Sequence, residues 1–582
     1  SPEKVWQPES NSIDFNLDKF LEFKLKLISD RVQLNDAIYF DEDLNIIDEF
    51  SPISNLPGQK KYKFSIKGNP SLGRIKTITL GLKNPSEKIG NNLSGEVWFN
   101  ELRLSEIDGN GGWSAVANFD ANFADFANVS FSGRMSTDGF GSVDKSPNET
   151  SNENYSQYSF ITNVNAGQLF PEKWGLQIPL SYTHSQELTK PKYDSYYNDL
   201  ELDKILDITE NRDSVLNQSR LISNSKSFSI LGLSKRKTND KKPKLYDIEN
   251  INISYSYSEN NYKDFEMEYS DKKMVFANAQ YSYTFNTLNI YPFEKFLENK
   301  NSKYLKWLKE FNFNPLPNSL TFSGNFNRSL FKQKFREINY SGIISENQIP
   351  IPEFTQSKFM FDWLLSISHN LSKSLILNYN ASNSSLIPSF TKDINTTDRN
   401  RLELFEKFFN VGEPNFYNQN FTANYNLPIS NFPFLDFINA NYSYNGNFNW
   451  QRGSDILNNV SDQFGNKLGR VNTIQNSNNQ TLNIALNLDR LYRQINFSKN
   501  NFLFDFLTSL KRVRSTYSEN SGKVLPGYIP SIGFLGTLKP SFGFVFGSQK
   551  DVRYEIAKNG WLTNFTDFNQ QFQKVYNSKF DL

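Results

Sequence analysis

The chain has 582 residues, with 63 Lys+Arg balanced against 62 Asp+Glu, two histidines and no cysteine. A net charge of +1 creates no field that would gather nucleic acid, and zero cysteine excludes disulfide frameworks, thiolate zinc sites and cysteine nucleophiles. Two histidines leave His-rich metal sites and most general-base schemes unsupported.

Phe (52) and Tyr (28) raise the aromatic share to 15%, yet mean hydropathy is −0.59. No stretch approaches the roughly 20 apolar residues of a spanning helix. The most apolar runs, Phe502 to Leu507 and Ser531 to Leu538, are broken by Asp505 or by glycines. A polar chain rich in aromatics, Asn and Ser, without a helical span, has the composition of a transmembrane β-barrel, whose lipid face needs only alternate residues to be apolar. The first residues, Ser1-Pro2-Glu3, carry no export signal. A barrel needs one, so the chain is expected to be a processed product or a fragment.

Residues 1–107 differ from the rest. Tyr62 to Lys67 alternates, Arg74 to Leu82 follows, and Gly95 to Leu104 closes the block, with Asn69-Pro70 and Asn84-Pro85 as turns. A small soluble β-sandwich or jelly-roll domain is expected here. Asp41-Glu42-Asp43-Leu44-Asn45 has the first, third and fifth ligand spacing of a calcium loop. It lacks the turn glycine (Ile46 stands there) and the bidentate glutamate (Pro52), so it is not an EF-hand.

Asp108-Gly109-Asn110-Gly111-Gly112 hands over to a new pattern, and residues 108–582 are expected to form a barrel segment. Trp113, Ala115, Ala117, Phe119, Ala121 and Phe123 share one parity, with Ser114, Asn118, Asp120 and Asn122 on the other. The period returns at Ile251 to Tyr257 and Val275 to Phe285, and is longest at Ile438, Ala440, Tyr442, Tyr444, Gly446, Phe448 and Trp450. Those alternate with Asn439, Asn441, Ser443, Asn445, Asn447 and Asn449. Such length matches the about 9–11 residues that cross a bilayer at a tilt. Ile438, Ala440, Tyr442, Tyr444, Phe448 and Trp450 are therefore candidate lipid-facing residues, and the six Asn and Ser residues are candidate lumen-facing ones. Leu320 to Asn327, Phe361 to Ser368, Phe421 to Leu427, Leu482 to Asp489 and Ser541 to Ser548 are further crossing strands, a dozen or more in all. Soluble β-architectures also alternate, but would carry more Lys and Glu on the outer parity.

Long links between strands are expected to hold helices near 199–222, 292–311 and 398–412. The second has Phe293, Phe296, Leu297, Tyr304, Trp307, Leu308 and Phe311 on one stripe. The third ends at Gly412 with Pro414 beyond. The second and third are expected to pack on a barrel rim rather than to act as lids or partner docks, and the acidic stretch Asp199 to Asp213 is expected to be another solvated helix or loop. His184 and His369 lie in no metal or nucleophile spacing, and Gly139-Phe140-Gly141-Ser142 lacks the lysine of a phosphate loop. No catalytic constellation, metal site or cofactor site emerges, and the chain is not expected to be an enzyme.

Gly95-Glu96-Val97-Trp98-Phe99-Asn100-Glu101-Leu102-Arg103-Leu104, Gly111-Gly112-Trp113, Ala124-Asp125-Phe126-Ala127-Asn128-Val129 and Gly139-Phe140-Gly141-Ser142 together resemble the SprA/Sov family. The likeness continues at Phe408 to Gly412, Pro433 to Ile438, Asn472 to Asn476, Leu488 to Tyr492, Leu525 to Tyr528, Ser531 to Gly536, Phe544 to Ser548 and Asn559 to Thr563. That family is the outer-membrane translocon of the type IX secretion system in Bacteroidetes-type bacteria, associated with gliding motility. The resemblance implies an interior fragment of a giant barrel that moves cargo proteins from periplasm to cell surface. It also implies outer-membrane lipid around the wall, a PorV-type small barrel at a lateral opening and a periplasmic plug protein as partners. Competing readings are a lipopolysaccharide-insertion barrel, which usually carries cysteine pairs, a porin or nutrient receptor, whose polar parity should be charged, and a surface adhesin.

Overall fold

A computed structural model describes residues 12–30, 36–49, 62–68, 70–81, 94–106, 109–146, 149–238, 244–297, 305–338, 350–388, 390–392, 399–401, 404–461, 465, 467–494, 508–565 and 568–582. The first block forms a helix, Asp18–Ser29, on a three-stranded sheet of β1 (Ile38–Phe40), β2 (Ile46–Ile47) and β3 (Phe64–Ile66) in the order β2-β1-β3. Phe20, Phe23 and Leu27 fall on one helical stripe, and Phe23 and Leu27 are buried against Phe40, Phe64 and Ile66. Phe23 stacks on Phe40 with centroids 4.7 Å apart. Among the described residues, 75–81 and 94–104 carry no regular secondary structure and pair with no strand. The ladder of a sandwich is thus not formed there, because neither stretch meets a partner edge.

After Gly112 the described residues build one large antiparallel sheet of sixteen strands. Its members are β4 (Ser114–Phe123), β5 (Ala127–Ser136), β6 (Glu153–Asn165), β7 (Leu176–Gln177), β8 (Pro179–Pro191), β9 (Leu221–Lys235), β10 (Ile251–Lys263), β11 (Met267–Thr284), β12 (Ser319–Phe335), β13 (Phe354–Asn370) and β14 (Leu375–Leu386). After a small hairpin, β15 (Phe390–Lys392) with β16 (Arg399–Arg401), the sheet resumes with β17 (Glu413–Leu427), β18 (Ile438–Gln451), β19 (Asn472–Asn487), β20 (Arg512–Tyr528) and β21 (Gln573–Asp581). Apart from the β15–β16 hairpin and β7, which pairs with β9, each strand lies beside its sequence neighbour, so the sheet is an up-and-down meander with β4 and β21 at its two edges. The fold is all-β, an antiparallel wall of barrel type.

The long links behave unequally. Leu202–Ile208 and Arg212–Ser219 are helices between β8 and β9. In 292–311 the described residues hold only a short helix, Lys306–Lys309, and Tyr304 lies outside them. In 398–412 they hold β16 and a turn over 404–409 instead of a helix. Ser541 to Ser548, expected to cross as a strand, forms a helical turn, Phe542–Val545. Ser541 accepts a hydrogen bond from the Phe544 amide at 3.2 Å, and Gly547 sits at φ +93°. The cap and the left-handed glycine close the turn before extended pairing can start.

Candidate functional site: the two faces of the wall

Register from β13 to β20, shifted only near the strand ends at Ser384/Ser385 and Asn472/Thr473, sorts side chains into rows. One row runs Ser366, Asn380, Asn420, Asn447, Ser477, Gly522, and the next runs Ser368, Asn378, Thr422, Asn445, Asn479, Asn520. These two rows carry Asn, Ser and Thr, with Gly522 at one end and no charge, while Asp362 and Arg514 stand on the same face nearer the strand ends. Side chains of this face bond to one another across strands: Asn420 to Asn445 at 2.7 Å, Asn441 to Asn426 at 2.7 Å, Ser443 to Asn424 at 2.8 Å and Ser366 to Asn380 at 2.6 Å. Asn278 and Asn325 make the same contact between β11 and β12. All six candidate lumen residues lie on this face, Asn439 exposed and the other five half-buried.

The opposite face changes character along the strands. At the end where 371–374 and 428–437 turn, its rows are aliphatic and tyrosyl: Leu375, Tyr425, Tyr442, Leu482, Tyr517, and then Leu427, Ala440, Ile484. At the other end lie the rows Trp363, Asn383, Tyr417, Trp450, Ile474, Leu525 and Leu365, Ala381, Gln419, Phe448, Asn476, Lys523. Polar residues have entered the apolar parity there, and the chain covers them itself. Residues 529–562 and the turn 404–409 fold back as a lid over this end. Trp450, Phe448, Tyr417, Ile474 and Leu525 are buried in one cluster with Ile532, Phe544, Val545, Val552 and Ile556 of the lid.

The lid is held by its backbone. Seven consecutive carbonyls, Phe544 to Lys550, accept hydrogen bonds from wall side chains. Asn476 Nδ2 donates to Phe544 and Ser548 at 3.1 and 2.8 Å, Gln419 to Val545 at 3.4 Å, Tyr444 to Phe546 at 2.6 Å and Asn478 to Gly547 at 2.9 Å. Lys523 donates to Gln549 and, at 3.0 Å, to Lys550. Trp450 Nε1 and Asn472 Nδ2 take Pro530. Arg328 on β12 does the same for the turn, donating to the Leu404, Glu406 and Lys407 carbonyls at 2.6–2.9 Å while its guanidinium lies 5.0 Å from the rings of Phe359 and Phe408. Both cations are buried and neutralised by dipoles rather than by a carboxylate.

The candidate lipid-facing residues therefore divide. Ile438, Tyr442 and Tyr444 are half-buried on the apolar parity, and Ala440 is buried beside them. Phe448 and Trp450 are covered by the lid: Phe448 meets Phe544 edge-on at 6.1 Å. Their assignment to lipid is corrected, because protein occupies the space in front of them. The lid donors carry a sequence signal that alternation alone overlooks, namely polar residues on the apolar parity confined to one strand end, and Gly446 among the aromatics.

The remaining motifs are structural. His184 Nε2 lies 3.0 Å from Asn224 Oδ1, and His369 Nε2 lies 2.8 Å from the Asn314 carbonyl. Asp41 closes the β1–β2 turn by accepting from the Asp43 and Asn45 amides at 3.0 and 2.9 Å. The Asn45 side chain and amide beside it hold its carboxyl below the usual carboxylate range. Among the described residues no cluster of three or more His, Cys, Asp or Glu could hold a metal. The first block is tied to the wall by a buried ion pair, Lys24 to Asp199 at 2.7 Å, with Asp199 also accepting from the Leu72 amide at 3.0 Å.

A meander of long strands with one polar and one apolar face defines a wall protein of the β-barrel class. Residues 1–206 match the SprA N-terminal family, a motility related/secretion protein, which supports the resemblance to the SprA/Sov family over that stretch. The match crosses the first block, the 94–104 segment and strands β4 to β8, so both parts of the chain share it. No curated protein matches the chain. Among solved structures it is similar to the ferric-catecholate import receptor Fiu of E. coli K12 in an open form, at 8% identity and a TM-score of 0.21, over 81% of this chain and 72% of that one. At that score the similarity carries no argument about fold or function.

Proposed function

We propose that the chain is a section of the wall of a protein-conducting outer-membrane channel, the type IX secretion translocon. The observation that carries this reading is the pair of uncharged Asn/Ser/Thr rows, from Ser366 and from Ser368, that run across six strands. Such a surface hydrates a lumen and offers a passing polypeptide weak, exchangeable hydrogen bonds without a charge that would retain it. The apolar rows on the reverse, Leu375 to Tyr517 and Leu427 to Ile484, are the surface toward outer-membrane lipid. Secreted cargo proteins, a PorV-type small barrel and a periplasmic plug protein are the partners this role calls for, and it calls for no catalytic residue.

The test is labelling plus transport in the full-length protein. A cysteine at Asn445 should react with a membrane-impermeant thiol reagent in cells, a cysteine at Tyr442 should not, and bulky labelling at Asn445 should slow cargo secretion. Equal labelling of the two, or secretion unaffected by loss of the gene, overturns the proposal.

A further inference from the structure

The lid is built inside-out for a loop in water. A water-exposed loop turns its carbonyls to solvent and hides its apolar side chains. Here seven consecutive carbonyls face the wall and are satisfied there, while Phe534, Leu535, Leu538 and Phe542 point out, 49–68% exposed. Phe409 of the neighbouring turn is 82% exposed. Ring contacts join the two patches through the wall, from Phe409 to Phe326 at 6.0 Å, on to Phe361 at 4.6 Å and to Phe534 at 6.2 Å. From Ile529 to Gln549 the only ionisable side chain is Lys539, which lies 5.1 Å from the Trp561 ring. In an apolar medium backbone groups must be satisfied internally, and from Phe544 to Lys550 the lid's carbonyls meet that demand with wall side chains.

We propose that the outer surface of the lid, centred on Phe534, Leu535, Leu538 and Phe542, lies in the lipid head-group region and extends the lipid-facing surface beyond the strands' apolar rows. The inference rests on the barrel reading above. Two features point to lipid as the occupant: the lid covers the same face that carries the apolar rows, and the strands are longer than a bilayer needs. β12, β13 and β20 have 17 residues each, about 58 Å along the strand, against an apolar band of roughly 25 Å. The covered end must therefore stand at or beyond the membrane boundary. Lid carbonyls neutralise Lys523 and Arg328 there, so the outward surface stays apolar where the wall beneath is polar.

The experiment places single nitroxide-labelled cysteines at Leu535, Phe542, Leu482, Asn445 and Asp455 in the full-length protein in lipid nanodiscs, and compares relaxation by oxygen and by a water-soluble nickel chelate. Labels at Leu535 and Phe542 are expected to show an oxygen-to-nickel ratio several-fold above that at Asp455. A ratio equal to that of Asp455 overturns the proposal. Shielding from both reagents also overturns it, because it means that a protein covers the patch. Leu482 separates the two claims: nickel access at Leu482 sinks the barrel reading itself, whereas a shielded Leu482 with nickel access at Leu535 sinks only the lid inference.

Discussion

The strands at the two ends of the sheet share one alternation and differ in what covers it. β4 and β5 pair Ala117 with Gly133, Phe119 with Phe131 and Ala121 with Val129, the same aromatic-and-small rhythm found on β18. Yet Phe119 is 59% exposed, and neither strand contributes to a buried cluster. On β17 to β20 the equivalent parity is buried under residues 529–562. Alternation is therefore sufficient for a two-faced sheet but not for a core. A core forms only where a link is long enough to return and where the wall offers donors for the returning backbone.

The largest contrast should come from Trp450. Trp450→Ala opens a cavity beneath the lid and leaves the Pro530 carbonyl with only the 3.3 Å bond from Asn472 Nδ2, at a cost of about 3–5 kcal/mol. It should make 529–562 the first site of protease cutting in the purified protein. Phe119→Ala, on the matching parity of β4, should change stability by less than about 0.5 kcal/mol. Equal denaturation midpoints for the two variants would erase the distinction between the regions.

Arg328→Ala comes next, removing a donor from three carbonyls of the 404–407 turn, of which Lys407 keeps the Asn410 amide at 3.0 Å, for about 2–4 kcal/mol. Arg328→Lys should recover little, because a point charge cannot serve three carbonyls as a planar fork does. Full recovery by lysine in a thermal melt would show that charge alone holds the turn. Gly446→Ala should cost about 1–3 kcal/mol by overpacking, since an added Cβ would stand 2.3 Å from the Phe546 carbonyl oxygen. Gly133→Ala on β5, where the nearest atom is 3.4 Å away, should be tolerated. Below these, Asn445→Ala on the polar face removes the bond to Asn420 and should cost about 1 kcal/mol, read by the same melt.

Most of the wall was legible in residue order, because a period of two is a direct image of a pleated sheet. The boundaries of β4, β10 and β18 fall within a few residues of their alternating stretches. The lid was not legible for a physical reason. Ser541 to Ser548 alternates aromatic with small residues as a strand does, and only the Ser541 cap and the left-handed Gly547 convert it to a turn. The donors that hold it, Gln419, Tyr444, Trp450, Asn476, Asn478 and Lys523, sit on four strands spread over about a hundred positions. Their convergence depends on register, which no local pattern contains. The helix Asp18–Ser29 was missed although its Phe20, Phe23 and Leu27 stripe is present, because the strand-like segments around it dominated that block.

The smallest effect tests whether the lid's outer end contributes at all. Asp551 accepts from the Arg553 amide and Nε at 3.0 and 3.1 Å and pairs with Nη2 at 2.8 Å, ahead of the helix Arg553–Lys558. The Arg553 hydrogen bonds hold its carboxyl well below the usual carboxylate range. A lowered folded value means that the stabilisation is complete above the unfolded carboxylate pKa of about 3.9 and disappears as pH falls toward the folded value. Asp551→Asn should therefore leave lid protection slightly weaker than the parent's at pH 7, with the gap closing below about pH 4. Because this pair is exposed and screened, the gap should also shrink in high salt, whereas the Trp450→Ala defect should persist. A salt-insensitive Asp551→Asn defect would mean that the lid is held at its rim as firmly as at its buried centre, and the distinction between covered core and exposed edge would then have to be drawn further out.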